Sequence, residues 1–112
     1  MKRITAVVLL MFSALSLADN GNRVWLDVRS AEEFAAGHLE GAINIPHGEV
    51  VAGVQALNID KDTPLVLYCR SGRRAQMALE ALQKAGYQNL VNAEDEEGAR
   101  ALKAADAQSG GD

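Results

Sequence analysis

The stretch Leu65-Val66-Leu67-Tyr68-Cys69-Arg70-Ser71-Gly72-Arg73-Arg74 decides the architecture of this chain. Four consecutive apolar residues, Leu65 to Tyr68, predict a short strand buried on both faces. The single cysteine of the protein stands where that strand should end. Polar and basic residues follow, and a helix is expected from Arg74 to Ala85. Ala75, Ala78, Leu79, Leu82 and Ala85 form its apolar stripe. Glu80 and Lys84 give an i,i+4 pair on the other side, and Gly86 is the expected stop.

This strand–loop–helix junction favours anion and sulfur chemistry. Gly72 permits a positive φ or a close backbone approach. Successive N–H groups in such a turn can form an anion-binding concavity, and a helix N-terminus adds donors and partial positive charge. Arg70, Arg73 and Arg74 add full charges. All three effects favour a Cys69 thiolate, the nucleophilic form, over the thiol. The alternative is a small buried hydrophobe, the common role of a free cysteine; three arginines within five residues argue for use. Spacing separates the loop from a phosphate clamp. A C-x5-R loop would need arginine at position 75, which is Ala75; Arg74 comes one residue earlier. The tighter loop suits a sulfur atom better than a tetrahedral phosphate.

Outward from this junction, strand and helix patterns alternate. Toward the N-terminus, Arg23 to Val28 reads as a buried strand. Ser30 opens a helix over Ala31–Ala36 with Glu33 as its capping-box partner, stopped by Gly37. Ala42 to Ile45 predicts a short strand, and Gly48 to Leu57 a helix. Toward the C-terminus, Asn89 to Asn92 reads as a fourth strand and Glu94 to Asp106 as a final helix. The acidic run Glu94 to Glu97 is expected to be its solvated, dipole-matched start. The pattern is that of a parallel α/β sheet, whose ligands bind outside the carboxyl ends of the strands.

The two ends are different in kind. Lys2 and Arg3 precede an apolar run from Ile4 to Leu17, and Ser16-Leu17-Ala18 offers small residues for cleavage after Ala18. Residues 1–18 are therefore expected to be a secretory signal peptide, with the domain over 19–107 and a flexible tail at 108–112. Export to the periplasm follows, with no stable membrane association after cleavage. The whole chain carries 11 basic and 15 acidic residues. Removing Lys2 and Arg3 leaves nine basic residues against 15 acidic, a net charge of −6. That balance makes nucleic acid a poor partner. One cysteine excludes an internal disulfide and a multi-cysteine metal site; the two histidines make a weak case for metal. His38 is expected to be a hydrogen-bonded structural residue and His47 a solvated one.

Three ordered segments resemble one family. Cys69-Arg70-Ser71-Gly72-Arg73-Arg74 is similar to the active-site loop of the rhodanese sulfurtransferases. Trp25-Leu26-Asp27-Val28-Arg29 with Glu32-Glu33-Phe34 resembles that family's first signature. Gly37-His38-Leu39-Glu40-Gly41-Ala42-Ile43-Asn44-Ile45-Pro46 resembles the second. The likeness spans Val24 to Val91 and is greatest to single-domain exported members. It implies a small rhodanese-like α/β domain, with a central parallel sheet of about four to five strands flanked by helices. The chain departs from the family pattern in two places. Few residues precede the first signature for an additional strand and helix, and Ala93-Glu94 stands where many members carry Gly-Gly.

The resemblance also implies thiosulfate sulfurtransferase activity. Cys69 would be the catalytic nucleophile, carrying sulfur as a persulfide to cyanide or a thiol acceptor without a metal or organic cofactor. Arg70, Ser71, Gly72, Arg73 and Arg74 would form the substrate-binding loop, with Arg70 and Arg73 the preferred side-chain contacts. Asp27 and Arg29 are expected to support the site from behind, with Arg29 paired to Glu32 or Glu33. A monomer is expected. The alternatives are a non-catalytic sulfur-carrier or binding module and a redox-sensing thiol.

Overall fold

The computed structural model describes residues 23–110; the expected leader at 1–18 lies outside them. Strand β1 is Val24–Asp27, and helix α1 is Ala31–Ala36. Strand β2 is only Ile43–Asn44. A 3₁₀ turn over His47–Glu49 leads into helix α2, Val50–Ala56. Strand β3 is Leu65–Tyr68 and helix α3 is Arg73–Lys84. Strand β4, Leu90–Glu94, and helix α4, Glu96–Gly110, complete the order.

The four strands form one parallel sheet in the order β2-β1-β3-β4. β3 lies inside it and all four of its residues are buried, as its unbroken apolar run requires. Alternation along the strands divides the core in two. Leu26, Val28, Leu65 and Leu67 pack with Val50 and Val54 of α2 and with Ala75, Ala78 and Leu82 of α3. On the other face, Trp25, Val66 and Tyr68 pack with Leu39 and with Ala99 of α4. Each face thus holds one apolar layer beneath helices.

The apolar stripe expected from Ala75 to Leu82 is the buried face of α3, and Gly86 takes φ +101° after the helix ends. Four corrections concern boundaries. The helix expected from Gly48 begins with a 3₁₀ turn and becomes α-helical at Val50. α3 starts one residue before the expected Arg74. β4 continues past Asn92 to Glu94, so Glu94 belongs to a strand end and not to a helix start. α4 runs through Gly110, past the expected end at Asp106. Among the described residues, no helix is long and apolar enough to cross a membrane.

Candidate active site

β3 delivers Cys69 to the carboxyl edge of the sheet. Its backbone N–H donates to the Glu94 carbonyl at 3.0 Å, which extends the β3–β4 pairing one residue beyond Tyr68. The chain then turns through Arg70 to Gly72. Gly72 adopts φ +92°, a left-handed conformation that disfavours any side chain, and becomes the N-cap of α3. The turn folds back on the thiol, so Gly72 N–H donates to Cys69 Sγ at 3.0 Å.

The thiol is 2% exposed. Burial pushes its pKa up, and the N–H groups of Ala75, Ser71, Gly72 and Arg74 pull it down. The donors prevail, and the thiol titrates below its ordinary value of 9.0. The loop therefore stabilises negative charge on sulfur with backbone dipoles.

The arginines do not act alike. Arg74 Nη1 and Nη2 donate to Glu33 Oε1 and Oε2 at 2.9 and 3.1 Å. Arg70 lies 3.7 Å from the same carboxylate, with its side chain 70% exposed. Arg73 is also exposed. Arg74 is thus held by a carboxylate, whereas Arg70 and Arg73 extend toward solvent. Glu33 simultaneously accepts from Ser30 N–H at 2.9 Å, completing the expected capping box of α1. It joins the first helix to the cysteine loop. Its ordinary sequence signal is that of a helix cap, and nothing in the local pattern announces a partner 41 residues away.

Arg29 corrects another expectation. Its partner is Asp27, not Glu32 or Glu33. Arg29 Nε and Nη2 reach the Asp27 carboxylate at 2.9 and 2.6 Å, and Arg29 N–H donates to Oδ1 at 3.0 Å. Nη2 also donates to the Gly37 carbonyl at 2.8 Å. A two-residue separation at the end of β1 lets the side chain fold back and satisfy the buried Asp27, which is 0% exposed. The pair links β1 to the turn after α1. Beneath it, Tyr68 Oη accepts Leu39 N–H at 3.0 Å. Burial, with the Asp27 carboxylate adding to it, pushes the Tyr68 phenol up to about 12. The Asp27–Arg29 pair and Tyr68 thus tie the ends of β1 and β3 to the segment after α1. His38 accepts the structural role expected of it: Nδ1 lies 2.8 Å from the Phe34 carbonyl, and the ring stacks on Phe34.

β4 supplies a further wall. A bulge places Asn92 opposite Leu67 but Glu94 opposite Tyr68. Asn92 Nδ2 donates to the Gly72 carbonyl at 3.1 Å, so this amide anchors the turn from the neighbouring strand.

The rhodanese-like domain model matches residues 13–95. This chain belongs to the rhodanese family. The Escherichia coli thiosulfate sulfurtransferase PspE is 39% identical over 69 residues, 62% of this chain and 66% of that protein. The putative sulfur carrier protein YrkF of Bacillus subtilis is 37% identical over 60% of this chain and 35% of its own length. This rhodanese chain therefore spans less than two thirds of either curated relative. An E. coli rhodanese solved with anions matches at TM-score 0.64 and 36% identity, over 68% of this chain and 89% of that one. The human single-domain sulfurtransferase TSTD1 matches at TM-score 0.58 and 33% identity, over 73% of this chain and 83% of that one. The four-stranded parallel sheet with its flanking helices is the rhodanese-like fold.

Proposed function

We propose that this rhodanese is a thiosulfate sulfurtransferase that carries sulfur on Cys69. The observation that carries the reading is the Gly72 N–H aimed at Cys69 Sγ at 3.0 Å, in a loop that favours the thiolate. The thiolate pair attacks the outer sulfur of thiosulfate. The sulfur–sulfur bond of the donor breaks, and sulfite leaves with the bonding electrons. Cys69 is left as a persulfide, its terminal sulfur charged and within the field of the loop amides. Cyanide or a thiolate then attacks that sulfur, and the Cys69 thiolate departs with the electron pair, restored. Two displacements with a covalent intermediate give ping-pong kinetics. Neither step requires a metal or organic cofactor.

Arg70 and Arg73 draw in the dianionic donor, and Glu33 positions Arg74 beside the loop. Asp27 and Arg29 hold the strand end on which the thiol stands. The charged start and apolar run before Ala18 support export to the periplasm, where the domain acts as a monomer.

The deciding measurement is intact mass after incubation with thiosulfate. A gain of one sulfur is expected, absent in Cys69→Ser, together with loss of thiocyanate formation from cyanide. A variant lacking Cys69 that still formed thiocyanate would sink the reading. The likeness to a putative sulfur carrier supports a second reading, in which Cys69 receives sulfur from a protein partner. That reading predicts a persulfide with negligible turnover on thiosulfate.

A further inference from the structure

Glu94 occupies an unusual place. It ends β4 with φ +75°, a conformation that L side chains rarely adopt. Its backbone is held there from both sides. Its carbonyl accepts Cys69 N–H at 3.0 Å, and its N–H donates to Asn92 Oδ1 at 2.8 Å. A glycine would sit at this φ without strain, but the chain carries an ionisable side chain.

That side chain lies against the cysteine loop. A Cβ built on Gly72 would stand 3.2 Å from Glu94 Cγ, and the Gly72 N–H itself reaches Cys69 Sγ at 3.0 Å. The thiol and the Glu94 side-chain stem therefore flank the same glycine. Two neighbouring acids are engaged elsewhere: Asp95 Oδ1 accepts Gly98 N–H at 2.8 Å, and Glu96 pairs with Arg100. Among the described residues, no cation lies within ion-pair distance of the Glu94 carboxylate, which is exposed at the rim.

We propose that Glu94 is a specificity-determining residue that sets the charge preference of the Cys69 site, favouring neutral or cationic thiol acceptors over anionic ones. This rests on the sulfurtransferase reading above. At physiological salt charges interact over about 8 Å, and Glu94 Cγ and Cys69 Sγ both pack against Gly72. An anionic thiol approaching the persulfide meets its field; a thiol bearing an ammonium group is attracted by it. In the transfer, the acceptor thiolate attacks the terminal sulfur and Cys69 leaves as thiolate. Only the remote charge of the acceptor differs between the two cases. The dianionic donor experiences the same repulsion, offset by Arg70 and Arg73.

The test uses the unmodified chain, Glu94→Gln and Glu94→Gly, each loaded from thiosulfate, with cysteamine and mercaptosuccinate as acceptors. Glu94→Gln removes the charge and keeps the side chain; Glu94→Gly removes the charge and the backbone strain together. The ratio of kcat/KM for cysteamine over mercaptosuccinate is expected to fall about two- to fivefold in both variants, an effect that shrinks at 1 M salt as the screening length contracts to about 3 Å. An unchanged ratio in both variants, with normal persulfide loading, overturns the role of Glu94 and leaves the sulfurtransferase reading standing. A fall in Glu94→Gly alone assigns the effect to backbone strain and also overturns it. Failure of the unmodified chain to load sulfur overturns both.

Discussion

Glu33 and Arg74, 41 residues apart, meet in a two-point ion pair that ties helix α1 to the first turn of α3. The contact pairs one of three clustered arginines with a carboxylate that also lies 3.7 Å from a second. The positive field that meets a substrate is therefore smaller than the run Arg70 to Arg74 suggests.

Replacing Glu33 with Gln should make this visible in acid. Arg74, with the Ser30 backbone N–H, holds the Glu33 carboxyl well below its ordinary value of 4.5. The folded state then binds fewer protons at this site than the unfolded state. The pair's stabilisation is present above pH 4.5 and is lost progressively as pH falls below it. Urea midpoints of the unmodified chain and Glu33→Gln should differ at neutral pH and draw steadily closer as pH falls below 4.5. Freed from its carboxylate, Arg74 should also lower KM for thiosulfate about threefold, the order expected of one charge acting on a dianion through high dielectric. A constant gap between the midpoints at every pH would contradict the pair.

The Cys69 thiolate should be detectable without any substrate. Burial raises its pKa and the loop amides lower it further than burial raises it, so the ultraviolet absorbance of the thiolate should titrate with a midpoint below 9.0. Cys69→Ser should lack the transition. A midpoint above 9.0 would mean that burial outweighs the amides.

Asp27→Asn should cost more stability than any substitution on the rim. Asp27 is fully buried and its carboxylate takes its bonds from Arg29. Losing one partner of such a pair strands the other, at about 3–5 kcal/mol. Chemical denaturation should register that loss. A change under about 1 kcal/mol would place the pair among those that surface solvent already screens.

Gly72→Ala tests the turn itself. The substitution forces a side chain to φ +92° and sets its Cβ 3.2–3.3 Å from Cγ, Cα and Cβ of Glu94. Strain of this kind costs about 1–3 kcal/mol. Both urea midpoint and persulfide loading should fall. Adding Glu94→Gly removes two of the three close atoms and should restore part of the stability, but not the part due to φ. Full restoration would show that backbone conformation contributes nothing.

Local pattern was enough to read the strands, the order of elements and the cysteine loop. Four buried residues before Cys69, the stripe from Ala75 to Leu82, and the Ser30–Glu33 cap all express interactions between near neighbours in sequence. A parallel sheet follows because such strands need helical crossovers. The same local reasoning put Glu94 at a helix start, because an acidic run before an apolar stripe resembles a dipole-matched first turn. The hydrogen bond from Cys69 N–H to its carbonyl makes it a strand end instead.

What the sequence by itself determined is which groups are present and which face of each element is apolar, since period and capping depend on spacing alone. Tertiary structure decided which charges meet. Arg29 folds onto Asp27, Arg74 onto Glu33, and Glu94 comes to rest against Gly72 because parallel pairing of β3 with β4 brings the two strand ends together. Charge interactions fall off with distance in space, and distance in space across 20 or 41 residues exists only after the sheet has formed.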